Sequence, residues 1–255
     1  MTEELFSVKD KIVLITGSTR GLGFSFASGF ADAGAVVVFN GRNREAVDNS
    51  VNQIRQNGGQ AYGSAFDVCN ETEVEQGVEF IEKSIGPVHT LINNAGIQRR
   101  NNLENLSLED WKAVIDVNLN SAFIVSRAII KGMIARKSGK IINITSLMAE
   151  GARPTTGNYC AAKGGLKMLT KAMATEWGRY NVQVNAIGPG YFITDLTKHL
   201  TEDEKFDAWV KQKVPLGRWG DPSELIGSAI YLSSRASDYI NGQTIYVDGG
   251  WLAAL

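Results

Sequence analysis

Ser146, Tyr159 and Lys163 carry a hydroxyl, a phenol and an ammonium, the groups needed to hold a substrate oxygen and move its proton. Tyr159 and Lys163 are four residues apart. The apolar rhythm of residues 157 to 180 predicts a helix, which would stack the two side chains on one face. A free tyrosine titrates near ~10 and is a poor base at neutral pH unless a cation favours its phenolate, and Lys163 is that cation. Ser146 closes the apolar run Lys140-Ile141-Ile142-Asn143-Ile144-Thr145, which reads as a buried strand. In an open parallel sheet, reactive groups gather beyond the carboxyl ends of strands, so the serine is placed to hydrogen-bond a substrate oxygen beside Tyr159. Taken alone the trio has a plainer alternative, a tyrosine and a lysine on a solvated helix face.

A second motif lies near the amino terminus. The β-branched run Lys11-Ile12-Val13-Leu14-Ile15-Thr16 feeds into Gly17-Ser18-Thr19-Arg20-Gly21-Leu22-Gly23, and an amphipathic stretch follows to Ala33. Strand, glycine loop and helix in that order make a dinucleotide fingerprint. Glycines allow the tight turn and the close approach of backbone to a pyrophosphate, whose charge rests on the helix N-terminus. The spacing is Gly-x-x-x-Gly-x-Gly rather than Gly-x-Gly-x-x-Gly, and the alternative is a simple turn.

Thr16-Gly17-x-x-x-Gly21-x-Gly23, Asn93-Asn94-Ala95-Gly96, Asn118 and the Ser146/Tyr159/Lys163 set resemble, in order and spacing, the motifs of the short-chain dehydrogenase/reductase family. Pro189-Gly190 with Thr194 resembles that family's later cofactor-binding turn, so the likeness covers essentially the whole chain. It implies one Rossmann-like, doubly wound α/β domain over residues 1–255, with a parallel seven-stranded sheet in the order 3-2-1-4-5-6-7 and helices on both faces. It also implies hydride transfer between a nicotinamide and a secondary alcohol or ketone. Tyr159 would be the acid/base and Ser146 would hold the substrate oxygen. Lys163 would lower the pKa of Tyr159 and hold the nicotinamide ribose, and Asn118 would hold a water linking Lys163 to solvent. The alternative role for Asn118 is to bond backbone within a kinked helix. The cofactor would lie against Gly17, Thr19, Arg20, Gly21, Leu22 and Gly23, with Asp67-Val68 at the adenine. Asn94, Ala95 and Gly96 would pass under the ribose, and Pro189, Gly190 and Thr194 would close the site.

Strand-like segments fall near 11–16, 35–40, 60–66, 88–92, 139–145, 181–187 and 243–247, with helical patterns between them. That alternation argues for a mostly parallel sheet with right-handed crossovers. The polar stretch from about Thr194 to Val214 is the expected substrate lid. At 255 residues, 44% of them hydrophobic and 21% charged, the chain can bury a large core, and no repeat or linker divides it. A formal net charge of −1 gives no basic footprint for nucleic acid, and no long apolar block points to a membrane. The first ten residues hold no continuous apolar run, so a cytoplasmic location is expected rather than secretion. Two cysteines, Cys69 and Cys160, fit a reducing compartment, and no His or Cys cluster points to a metal.

The second strand, Ala35-Val36-Val37-Val38-Phe39-Asn40, ends without the acidic residue that accepts from the adenosine ribose of NAD. Asn40 stands there, Arg42 follows, and Arg20 lies in the glycine loop, so two guanidinium groups are available to a 2′-phosphate and NADP is expected over NAD. The alternative is that both arginines are ordinary surface residues.

Asn40-Gly41-Arg42-Asn43, Ile97-Gln98-Arg99-Arg100, Tyr191-Phe192 and Gly217-Arg218-Trp219-Gly220 are similar to the members of the family that interconvert gluconate and 5-ketogluconate. A sugar-acid substrate follows, with Arg100 as first choice for its carboxylate and Arg99 and Arg153 nearby. Glu150 would bond sugar hydroxyls or pair with Arg153. Reduction of 3-oxoacyl carrier-protein thioesters, oxidation of 2-dehydro-3-deoxygluconate, and a catalytically silent NADP-binding sensor are the alternatives. The resemblance further implies a homotetramer built on the helices around 108–136 and 157–180 and on the carboxyl-terminal region.

Overall fold

The computed structural model describes residues 2–194 and 197–254, the side chain of His199 excepted. Residues 195–196 of the expected lid, and Leu255 of the apolar carboxyl-terminal stretch, lie outside the described residues. Seven strands form one sheet: β1 Ile12–Ile15, β2 Val36–Gly41, β3 Gln60–Ala65, β4 Val88–Asn93, β5 Gly139–Ile144, β6 Val182–Pro189 and β7 Thr244–Val247. Their order is β3-β2-β1-β4-β5-β6-β7 and every pairing is parallel. The helices are α1 Thr2–Leu5, α2 Gly21–Asp32, α3 Arg44–Gln56, α4 Glu71–Ser84, α5 Leu108–Ile115, α6 Ser121–Arg136, α7 Gly157–Trp177, α8 Lys198–Thr201, α9 Glu204–Lys213 and α10 Ile226–Ser233.

A parallel sheet buried on both faces needs strands that are apolar throughout. β1, β5 and β6 are buried along their whole length, and successive side chains divide between two cores. Val13, Ile15, Val37, Phe39 and Ile142 meet Phe26 and Phe30 of α2, Val51 of α3 and Leu232 of α10. Leu14, Val38, Leu91 and Ile141 turn the other way, toward Val78 of α4, Ile129 of α6 and Met173 of α7. Each such side chain contributes about 1.5–3 kcal/mol on burial, and emptying the Phe30 site with alanine costs about 3–5 kcal/mol.

Local signals fix where the helices begin. Asn43 and Asn70 accept from the amides of Ala46 and Glu73 and so cap α3 and α4. Between α5 and α6 the backbone opens into one π turn, Asp116–Asn120. The run Leu108–Arg136 is long and apolar enough to cross a bilayer by composition, and here it is a layer of the fold, with α6 packed on β4, β5 and α4. Because all strands run the same way, their carboxyl ends, and the residues that follow them, share one rim.

Candidate active site

The rim is organised around Thr16, the residue after β1. Its hydroxyl accepts from the backbone amides of Asn94 (3.0 Å) and Ala95 (3.1 Å), so the turns after β1 and β4 are locked together. Asn94 returns the contact, its side-chain nitrogen donating to the carbonyls of Thr16 (2.9 Å) and Gly17 (3.0 Å). Gly17 has φ +61° and a Cβ there would lie 2.9 Å from the Ala95 Cα. A Cβ on Gly23 would fall 2.5 Å from both Asn94 Nδ2 and the Gly17 carbonyl. The cradle therefore needs glycine at both positions, and it presents the uncapped amino terminus of α2, where Arg20 supplies no side-chain cap. Leu22 anchors the helix by packing on the first core, and the Thr19 methyl faces Gly41. Across the crevice, Gly190 approaches the Asp248 backbone, and Thr194 lies about 4.0 Å from the Cβ position of Gly21. Glycines and the free amides of the α2 amino terminus are the donor set that a dinucleotide's diphosphate takes.

Asn40 is a correction. It is 1% exposed, and its side-chain nitrogen donates to the carbonyls of Ser64 and Phe66, both at 3.1 Å. With its side-chain donors spent on Ser64 and Phe66, it holds the glycine loop from beneath, accepting from the Gly17 and Ser18 amides, rather than facing a phosphate. Arg20 and Arg42 are exposed and, among the described residues, neither is in an ion pair. Asp67 holds the Cys69 amide with Oδ1 (2.9 Å), whereas the Val68 side chain is buried in the second core. The Cys69 thiol is pushed up to about 11 by burial and then by Asp67.

Ser146, Tyr159 and Lys163 come together as the spacing predicts. Tyr159 and Lys163 share one face of α7, the Lys163 nitrogen 5.6 Å from the phenol ring centre and donating to the Ile144 carbonyl at 2.7 Å. Lys163 is 3% exposed, and burial lowers its pKa from 10.5 to about 8. Burial pushes Tyr159 up to about 12, and the neighbouring Ser146 hydroxyl pulls the other way. The sequence predicts a depression of Tyr159 by Lys163; in the fold, loss of water dominates and the shift is upward. At neutral pH the site holds a neutral phenol beside a charged lysine, which is the form that gives a proton to a ketone oxygen.

Asn118 occupies the π turn and donates to the carbonyls of Ile97 and Val114, both at 2.9 Å. Its Oδ1 is buried with no partner in the protein and lies 2.7 Å from the Cβ position of Gly96. An orphaned acceptor beside a glycine is a place for a water molecule.

The arginines separate. Arg99 turns away to Asp110 (2.7 Å) and so leaves the pocket. Arg100 bonds Thr155 Oγ1 through Nε (3.2 Å), while its proton affinity is reduced first by burial and then by the charge of Arg153. Arg153 donates to the Tyr191 hydroxyl (2.7 Å) and lies over the rings of Phe206 (4.6 Å) and Trp209 (5.4 Å). Neither Arg100 nor Arg153 has a carboxylate partner among the described residues. Glu150 is a second correction: its Oε1 takes bonds from Lys167 and the Tyr246 hydroxyl, not from Arg153, and that oxygen is withdrawn from any sugar hydroxyl.

The expected lid is also different in kind. Glu202, Asp203, Glu204 and Lys205 are exposed, whereas Phe206 and Trp209 of α9 join Tyr191, Trp219 and Trp251 in a third apolar cluster, with Asp207 accepting from Trp219 Nε1. Sequence reasoning missed this cluster because its members are spread from 191 to 251; the only signal was an excess of aromatics in a polar stretch.

A dinucleotide cradle and a proton-transfer group opening on one crevice define a nicotinamide-dependent oxidoreductase. Residues 17–252 match the family profile described as Enoyl-(Acyl carrier protein) reductase. The chain belongs to the short-chain dehydrogenase/reductase family. It is 49% identical to the 2-dehydro-3-deoxy-D-gluconate 5-dehydrogenase of Formosa agariphila, covering 100% of this chain and 97% of that one. It is 47% identical to the 5-keto-D-gluconate 5-reductase of Escherichia coli K12, over 99% of each. A gluconate 5-dehydrogenase from Burkholderia cenocepacia J2315, solved in complex with NADP and tartrate, superposes with a TM-score of 0.98 at 44% identity, covering 100% of both chains.

Proposed function

We propose that this chain interconverts D-gluconate and 5-keto-D-gluconate by hydride transfer at C5 with NADP, and with NAD as the poorer cofactor. The observation that carries the reading is that two guanidinium groups, Arg100 and Arg153, on the loops that border the Ser146–Tyr159 site have no carboxylate partner among the described residues. Relatives named for the same chemistry support it.

NADP supplies or accepts the hydride when bound. The chain would hold its diphosphate with Gly17, Gly21 and Gly23 and the amino terminus of α2, and its 2′-phosphate with Arg20 and Arg42. Asp67 would take the adenine amine, and the backbone at Asn94, Ala95, Gly96, Pro189 and Gly190, with Thr194, would line the remainder. In the reducing direction Tyr159 gives its proton to the C5 oxygen while Ser146 donates a hydrogen bond to that oxygen. Lys163 then resupplies the phenol, and Asn118 Oδ1 holds the water that connects Lys163 with solvent. A positioned acid of this kind contributes about 10²- to 10⁴-fold.

The enzyme would act as one catalytic domain in the cytoplasm, with residues 194–214 as its lid. A homotetramer is supported by large apolar side chains exposed on α5, α6 and α7, namely Leu108 (64%), Phe123 (47%) and Met168 (61%). The deciding experiment follows NADPH formation from gluconate with NADP or NAD, with 2-dehydro-3-deoxygluconate and an acyl thioester in parallel and Tyr159→Phe as control. Tyr-dependent turnover of gluconate with NADP is expected; preference for either other substrate refutes the reading.

A further inference from the structure

We propose that Tyr191 is a positioning residue that makes the pocket select an anionic over a neutral substrate, by holding Arg153 where it and Arg100 meet one carboxylate. The inference rests on the sugar-acid reading above and adds the residue that enforces it.

Tyr191 is the hub of the aromatic cluster. Its ring centre lies 5.0 Å from that of Trp251, 5.6 Å from Trp219, 5.9 Å from Phe206 and 6.0 Å from Trp209. A ring enclosed on that many sides keeps one rotamer, so its hydroxyl is a fixed point. That hydroxyl accepts from Arg153 Nη1 at 2.7 Å. The guanidinium carbon then lies within cation–π range of the Phe206, Trp209 and Tyr191 rings, at 4.6, 5.4 and 5.9 Å. The tyrosine uses one of the five guanidinium N–H groups, which leaves donors for a carboxylate fork.

Arg100 is fastened to the same loop. Its Nε donates to Thr155, a β-branched residue held at φ +69°, and strain of this kind collects where a structure over-determines a functional loop. Thr155 is two residues from Arg153, so the two cations are held beside one loop and the charge of Arg153 acts on Arg100, while Arg99 is neutralised by Asp110. An anion relieves that repulsion, and a neutral polyol of the same shape does not. Because Phe206 and Trp209 belong to α9, the cover of the pocket rests on the same guanidinium.

The test uses NADP-loaded protein and two probes of matched shape, tartrate and the uncharged threitol, read by thermal shift. Wild type is expected to gain melting temperature with tartrate and not with threitol. Tyr191→Phe should need about 10-fold more tartrate, in line with the loss of a hydrogen bond to a charged group, and should raise KM for gluconate far more than KM for NADP. Arg153→Gln should give the same loss, and the double variant no more than Arg153→Gln alone, since the tyrosine acts only through the arginine. Equal tartrate affinity in Tyr191→Phe, additive losses in the double variant, or a parallel rise in KM for NADP would overturn the proposal. Tartrate selectivity in a wild type that does not oxidise gluconate would instead refute the proposed substrate and leave the role of Tyr191 intact.

Discussion

Replacing Lys163 with methionine should change how the stability of this chain depends on pH while abolishing its turnover. The lysine is buried, and the displacement of its pKa from 10.5 to about 8 corresponds to about 3 kcal/mol at ~1.4 kcal/mol per pH unit. Between those two pH values the unfolded chain binds more protons at this site than the folded chain does. Wild-type stability therefore gains from Lys163 as pH rises through that window, and below it carries the full cost of a buried cation. Methionine fills a similar volume and has no such dependence, so the gap between variant and wild type should shift by about 3 kcal/mol in favour of wild type from neutral pH to above 10.5. Tyr159 titrates in both proteins, so its contribution largely cancels. Urea unfolding followed by the fluorescence of the five tryptophans measures the gap at each pH. A gap that is constant within about 1 kcal/mol would show that Lys163 is not held against its solvation, and the account of the catalytic site as a strained charge would fall.

With Tyr159 pushed up to about 12 and Lys163 lowered to about 8, kcat/KM for alcohol oxidation should climb with pH above about 8, whereas ketone reduction should hold steady up to that pH; a flat oxidation profile across the alkaline range contradicts the assignment. Gly23→Ala puts a methyl 2.5 Å from Asn94 Nδ2 and the Gly17 carbonyl, so cofactor affinity should drop by about 10-fold or more in a fluorescence titration while the rest of the fold persists. Arg20→Glu/Arg42→Glu should lower the NADP-to-NAD ratio of kcat/KM by about 10-fold or more, and an unchanged ratio would move the 2′-phosphate elsewhere.

The strands were legible because a doubly covered parallel sheet forces continuous apolar runs. The largest error at any strand end is at β6, which runs to Pro189 rather than 187. The pairing of Tyr159 with Lys163 was legible because helix periodicity converts a spacing of four into a shared face. What the chain order hid was partner choice. Asn40 stands where a cofactor ligand was expected, yet its amide is claimed by carbonyls of Ser64 and Phe66, which no local pattern announces. Glu150 and Arg99 likewise found partners on other elements, Lys167 and Tyr246 for the first and Asp110 for the second. The sign of the Tyr159 displacement was hidden too, because it depends on how completely both groups lose water.

The strand starts tell a separate story. There the Ile12 amide donates to His89 Nδ1 at 2.9 Å, an imidazole that burial keeps neutral with a pKa near about 4, and Lys140 of β5 is bound to Asp238 at 2.8 Å. These clamps tie β1 to β4 and β5 to the segment before β7 without touching the crevice. Part of the fastening thus sits on the rim opposite the chemistry, so a new substrate preference can be written into the crevice loops without loosening these clamps. For the same reason, an affinity handle or a surface tether belongs at the His89–Lys140 end, where it leaves the path to the crevice open.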